Sequence, residues 1–213
     1  MAQLAVRFYG RLTLEKIIFA RYDYPQLHKT YDDFKLDTDY SHKHLYGLSK
    51  ESGAIRGVIV DIVESLPHPV SHVLLPGEYN TDRHHYAKLF NLDVNAIVTA
   101  GLGGDMDHEW NYENNPPQMG KFDLIISQAM LEHLLNPYKH VSDLSLMLEE
   151  GGTLILHTHT PGFQYHKYPI DCLRFYPDWF EEVAKRLGLV VYDRYIGDLR
   201  ICYTLHKPAA ENS

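Results

Sequence analysis

From Ser52 onward, short apolar runs alternate with segments of helical periodicity, and few architectures accept that alternation. Ser52 stands where it can cap a helix over 52–66, with Ile55, Ile59, Ile62 and Val63 on one face and Pro67 as the stop. Residues 72–75 form an apolar run that enters a turn at Pro76-Gly77, as a buried parallel strand does. A helix over 82–90 follows, then a strand over 96–100 that runs into Gly101-Leu102-Gly103-Gly104, and a third strand over 122–127. The segment 136–149 reads as a helix with Tyr138, Val141, Leu144 and Leu148 on one side, ended by Gly151-Gly152. A strand over 153–157, a helix over 177–187 closed by Gly188, and strands near 189–192 and 201–205 complete the pattern. The expected fold is α/β, a doubly wound Rossmann-like sheet, mostly parallel. The last two strands are joined too closely for a helical crossover, so the final strand is expected to run antiparallel.

Residues 1–50 do not share this regularity. Tyr9, Tyr22, Tyr24, Tyr31, Tyr40 and Tyr46 sit among mixed charges, with one short helical stretch over 12–20. They read as a tyrosine-rich arm or lid that covers the α/β domain of 51–213. Arg7 and Arg11 fall where a secretion signal needs its apolar core. No apolar run approaches the ~20 residues that span a bilayer, so the expectation is a cytoplasmic protein with no membrane partner. A net charge of −8 lacks the basic footprint of a phosphate-backbone binder and disfavours nucleic acid. Cys172 and Cys202 make no CxxC pair, which argues against a thiolate zinc site or a disulfide framework.

In an open α/β sheet, ligands bind beyond the carboxyl ends of the strands. That rule selects 76–80, 101–109, 127–133 and 157–171, the most polar and irregular stretches of the domain. In the last of these, His157, His159 and His166 invite a metal reading. No complete ligand motif accompanies them, however, so metal ligation ranks below substrate positioning or a general base. His166 is the base candidate, because an imidazole of ordinary pKa, ~6.5, accepts a proton near neutral pH. Tyr165 and Tyr168 are candidates to wall an acceptor pocket, with His159 beside them. Asp171 and Arg174 read as an internal ion pair that holds the loop, and Trp179 and Phe180 as core or helix-face residues.

The stretch KFDLIISQAMLEHLLNPYKHVSDLSLMLEEGGTLILHTHTPGFQYHKYPIDCLRFYPDWFEEVAKRLGL resembles class I S-adenosylmethionine-dependent methyltransferases. It is similar to their compact, type-11-like branch, with its LEH segment, GG turn and YHxYPxDxxRF loop. The resemblance implies a methyltransferase-like sheet and S-adenosylmethionine as cofactor. It places Gly77, followed by Tyr79 and Asn80, at the turn near the methionine part, although the usual GxG is here PGEYN. It places Asp105 or Asp107 as acceptors on the adenine side, with Met106 against the ring. Ser127, Gln128 and His133 would line the cofactor cleft. The second-strand position that usually carries the ribose carboxylate is Thr99-Ala100-Gly101, without an acid. Gly101 as the cofactor turn would leave too little chain before Asp123, which favours Gly77.

The function expected from this reading is transfer of a methyl group to a small polar acceptor, a hydroxyl slightly preferred over an amine. A second reading, motivated by the PGEYN turn and the missing carboxylate, is a non-catalytic binding or assembly module on the same fold. A histidine-ligated metal enzyme is a weaker third. A homo-oligomer or a protein partner stays open.

Overall fold

The apolar runs near 72–75, 96–100, 122–127, 153–157 and 201–205 become mostly buried strands, and the stretch near 189–192 opens a strand whose first residues are partly exposed. The computed structural model describes residues 54–209 apart from 168 and 198; the arm over 1–50, the helix expected at 12–20 and the Ser52 cap lie outside the described residues. The elements are α1 (Ala54–Glu64), β1 (Val73–Pro76), α2 (Asn80–Phe90), β2 (Ile97–Gly101), β3 (His108–Glu109), β4 (Phe122–Gln128), α3 (Pro137–Met147), β5 (Leu148–His159), α4 (Pro177–Leu187), β6 (Val190–Gly197) and β7 (Arg200–His206). The seven strands form one sheet in the order β3-β2-β1-β4-β5-β7-β6. Pairings from β3 to β5 are parallel, and β7 runs antiparallel to both β5 and β6. The doubly wound α/β sheet and its antiparallel final strand are as the sequence predicts.

Alternation along the strands feeds two apolar layers. On one side Val58, Ile59 and Ile62 of α1 and Tyr86 and Ala87 of α2 pack with Val73, Leu75, Ile97, Leu124, Ile126 and Ile155. Helices α3 and α4 pack together against the later strands, where Phe180 stacks on Tyr203 with ring centroids 4.6 Å apart. Trp179 is only half-buried and meets Phe175 and Phe180 edge-on. The helix ends follow local chemistry. The Asn136 side chain accepts from Lys139 N–H at the start of α3, with Pro137 in the first turn, and Gly188 takes the left-handed conformation that closes α4.

Several bounds differ from the expectation: β6 runs on to Gly197 rather than ending near 192, β3 is not among the expected strands, and the end of α3 differs most. Helix α3 stops at Met147, and Leu148 already pairs with Phe122 as the first residue of β5. Gly151 and Gly152 therefore do not end a helix. They lie inside β5, where the register with β4 shifts between Phe122 and Leu124. A Cβ on Gly152 would come within 2.9 Å of the Glu149 carbonyl and 3.2 Å of the Phe122 carbonyl, so only glycine fits.

The order of strands puts a switch point between β1 and β4: the chain leaves β1 toward β2 on one side, and β4 lies on the other. The turns after β1 and β4 must diverge there, and a crevice opens between them. No helix intervenes between β2 and β3 or between β3 and β4. Two loops, 102–107 and 110–121, take those places and close one side of the crevice.

Candidate functional site

A cleft of about 300 Å³ occupies that position, at the small end of ordinary ligand pockets. Gly77 and Tyr79 follow β1, Leu102 and Met106 follow β2, and Asn111, Tyr112 and Glu113 follow β3. Gln128 to Met130 and His133 to Leu135 follow β4, and Pro169 and Ile170 come from the loop after β5. The wall is mainly apolar, with a few polar groups that could orient a ligand.

The turn after β1 is built for close approach. Gly77 has φ +82, and a Cβ there would lie 2.4 Å from Met130 Sδ. Its N–H donates to the Ala100 carbonyl at 2.9 Å, and the Tyr112 hydroxyl donates to that same carbonyl at 2.7 Å. The cleft's first turn, the end of β2 and the loop after β3 thus meet at one oxygen. Burial pushes the Tyr112 phenol well above its ordinary pKa, so it remains a donor. Tyr112→Phe is expected to cost only about 1 kcal/mol in urea unfolding, because the Ala100 carbonyl keeps the Gly77 bond. Across the cleft, Ala129 is held at φ 49, with its N–H donating to the His157 carbonyl at 2.8 Å. Few alanines adopt this backbone region.

Five of the expected cofactor residues line the cleft: Gly77, Tyr79, Met106, Gln128 and His133. Four others do not. Asn80 Oδ1 accepts from Arg83 at 2.5 Å and from the Thr99 hydroxyl at 2.7 Å, which fixes it to α2 and β2. The Asp107 carboxylate accepts from Thr99 N–H at 2.9 Å and pairs with Arg83 at 2.9 Å, a role within the fold rather than toward the cleft. Asp105 is exposed and contributes its backbone carbonyl, which accepts from Asn80 N–H at 2.9 Å. Ser127 is fully buried, with its hydroxyl 3.1 Å from His140 Nε2. The acid that does line the cleft is Glu113, whose Oε1 accepts from Leu135 N–H at 2.8 Å and Asn136 N–H at 3.3 Å. Sequence reasoning missed it because it sits in an irregular loop after a strand of two residues, where periodicity gives no register.

Beyond His133 the loop after β5 folds around a second group of side chains. Glu132 is completely buried, and its Oε2 accepts from the Thr158 hydroxyl at 2.5 Å. Its Oε1 lies 2.6 Å from Nδ1 of His159, which is buried, and 3.7 Å from His166 Nε2. Burial opposes the charge on Glu132, but the imidazole of His159 and the Thr158 hydroxyl outweigh it and bring the pKa down to about 2. Glu132 is therefore a carboxylate at neutral pH. His157, two residues back along β5, is buried and neutral, its pKa pushed down to about 3 by desolvation.

The loop itself is stapled. Both nitrogens at the end of the Arg174 guanidinium pair with the Asp171 carboxylate, and Asp171 Oδ2 accepts from His166 N–H at 2.7 Å. Arg174 also donates to the Gln164 carbonyl at 3.0 Å, and Cys172 and Leu173 N–H donate to the Glu132 carbonyl. The internal ion pair expected of Asp171 and Arg174 is what holds His166 in place. Phe163 stacks on His159 at 3.6 Å between centroids, and the His133 and His166 rings meet edge-on at 4.9 Å. His133 therefore touches both the cleft and the histidine–glutamate group. Tyr165 is 71% exposed and walls neither, and Tyr168 lies outside the described residues. Glu132 is not among the site residues expected from the sequence. It stands in the LEH segment, but its partnership with His159 needs β4 and β5 to be neighbours.

No protein-family model matches the chain. Over 46 residues it is 39% identical to the tRNA U34 carboxymethyltransferase of Hahella chejuensis, a match that spans 22% of this chain and only 14% of that enzyme. Among solved structures it is similar to an O-methyltransferase family protein from Burkholderia thailandensis, with a TM-score of 0.53 and 12% identity over 84% of this chain and 64% of that one. It is also similar to an amino pentose methyltransferase from Micromonospora echinaspora, solved with S-adenosylmethionine bound. There the TM-score is 0.56 and the identity 11%, over 78% of this chain and 92% of that one. At such identities the likeness is one of fold: the sheet is that of the methyltransferases. No helix among the described residues is long and apolar enough to cross a membrane.

Proposed function

We propose that this chain is an S-adenosylmethionine-dependent methyltransferase of small polar acceptors, with hydroxyl preferred over amine. The observation that carries this reading is the cleft at the switch point, walled by the Gly77 turn and adjoining the Glu132–His159–His166 group through His133.

The residues present fit the cofactor. The missing side chain at Gly77 leaves a backbone surface that a Cβ would close. Leu102 and Met106 offer apolar faces to a purine, while Glu113, Gln128 and Tyr79 offer polar atoms in the same wall. Glu113 takes the place of the carboxylate that β2 lacks. When bound, S-adenosylmethionine supplies an electrophilic methyl group on a sulfonium, open to in-line attack.

The remaining work falls to the chain's own side chains. An acceptor lodged between the cleft and the loop after β5 meets His166 Nε2, one-third of whose side chain is exposed, as the accessible proton acceptor. The ring stands between two carboxylates, with Asp171 Oδ2 3.4 Å from Nδ1 and Glu132 Oε1 3.7 Å from Nε2. Buried Glu132 supplies a fixed negative charge that stabilises the imidazolium formed. Deprotonation is needed more for a hydroxyl than for an amine, which is why the hydroxyl is preferred.

Calorimetric titration of the full chain with S-adenosylmethionine and S-adenosylhomocysteine tests the reading. Saturable one-site binding of both is expected. If the folded protein binds neither, the cleft has another occupant and the chain is better read as a binding or assembly module.

A further inference from the structure

We propose that Glu132, His159 and His166 form a binding site for one divalent transition-metal ion. One ligand atom from each residue can be chosen so that all lie within 4.8 Å of one another. Metal bonds of about 2.0–2.2 Å put neighbouring ligand atoms roughly 3.0–3.5 Å apart, so Glu132 Oε1 and His159 Nδ1 would separate from 2.6 Å and His166 would move inward to share one centre.

The second observation is that the group is left incomplete. Glu132 Oε1 and His159 Nδ1 face each other at 2.6 Å as a buried pair, and neither atom has a hydrogen-bond partner outside that pair. Glu132 is completely buried and His159 only 6% exposed. A carboxylate oxygen has two acceptor sites, so the pair leaves one site on Oε1 unused in a buried place. A cation between them would satisfy both atoms at once.

The surroundings are those of a supported ligand set. Thr158 holds the other oxygen of Glu132, and the Asp171 carboxylate backs His166 Nδ1, leaving Nε2 toward the centre. A carboxylate behind a ligating histidine fixes its tautomer and raises its basicity. Two imidazoles and one carboxylate suit zinc, cobalt or ferrous iron and do not suit magnesium or calcium, which take oxygen ligands. Three protein ligands would leave a position open on the side of His166, whose ring is the least buried of the three. With the metal bound, His166 Nε2 would be a ligand and no longer the proton acceptor, and a hydroxyl at the open position would be acidified and lose its proton to water instead. That last role rests on the methyl-transfer reading; the metal site does not.

The test uses untagged full-length protein, stripped with chelator and dialysed, then titrated with Co²⁺ by visible absorption and with Zn²⁺ by calorimetry. One equivalent of each is expected, with ligand-field bands for Co²⁺ that Zn²⁺ displaces. Affinity should fall at least ~100-fold in His159→Ala and in His166→Ala and stay unchanged in His84→Ala, an exposed histidine on α2. Circular dichroism establishes that each variant is folded, and if His159→Ala is not, His166→Ala in the loop carries the test. Absence of stoichiometric binding, or an equivalent that survives both substitutions, overturns the proposal. Metal binding without S-adenosylmethionine binding would sink the methyl-transfer reading and leave the site standing.

Discussion

Gly77→Val is expected to abolish S-adenosylmethionine binding, with affinity weakened by at least ~100-fold, a loss of about 2.7 kcal/mol. Two effects combine. The backbone at φ +82 is a region that β-branched residues rarely enter, at a cost of roughly 1–2 kcal/mol or more. The added side chain would also start 2.4 Å from Met130 Sδ. Met130 is flexible enough to move, and with Gly77 it lines the cleft, so displacement changes the shape of that wall. Calorimetry and urea unfolding separate the two: stability should fall modestly while binding is lost. A folded valine variant that binds within a few-fold of the parent would show that the cofactor does not use this turn.

The second large effect is acid lability through His140. This residue is completely buried beside Trp110 and Tyr112, and desolvation pushes its pKa down to about 3. Its neutral form belongs to the folded state. Above the ordinary value near 6.5 both states are neutral, and the stabilising term is fully present. As pH falls below ~6.5 the unfolded chain takes up a proton that the folded one refuses, so stability drops by about 1.4 kcal/mol per pH unit until the folded pKa is reached. His140→Gln, which keeps a polar group for the Ser127 hydroxyl, should lower stability at neutral pH. It should also flatten its pH dependence between pH 6 and 4 by one proton's worth. Urea unfolding of parent and variant at several pH values gives both slopes, and equal slopes would refute the assignment.

The fold was legible because it rests on patterns that survive locally. Buried parallel strands read as unbroken apolar runs, as in residues 72–75 and 122–127, and amphipathic helices declare themselves by period. What local pattern could not supply was long-range pairing. The Leu148–Phe122 pair turned the last residues of an apparent helix into a strand, because burial in the sheet outweighs helix propensity. The site was legible only in part for the same reason. Gly77, Met106, Gln128 and His133 follow strand ends, so topology alone directs them to the cleft. Asn80 and Asp107 follow strand ends too, but Thr99 and Arg83 capture their polar atoms. A sequence shows that an aspartate stands in a loop, not which donor reaches it first. Glu132 was the opposite case, an acid next to a plausible ligand residue, whose partners lie 27 and 34 positions away along the chain.

Ala129 bears on how this domain could be made more robust. Held at φ 49, it keeps a methyl-bearing residue where glycine would relax the backbone by about 1 kcal/mol. Ala129 is one of the residues that wall the cleft. The gain from Ala129→Gly would therefore be taken from the shape of the pocket, and a search for heat-resistant variants would find one of its easier improvements at a position where ligand fit suffers. Robustness and recognition compete here at a single carbon atom.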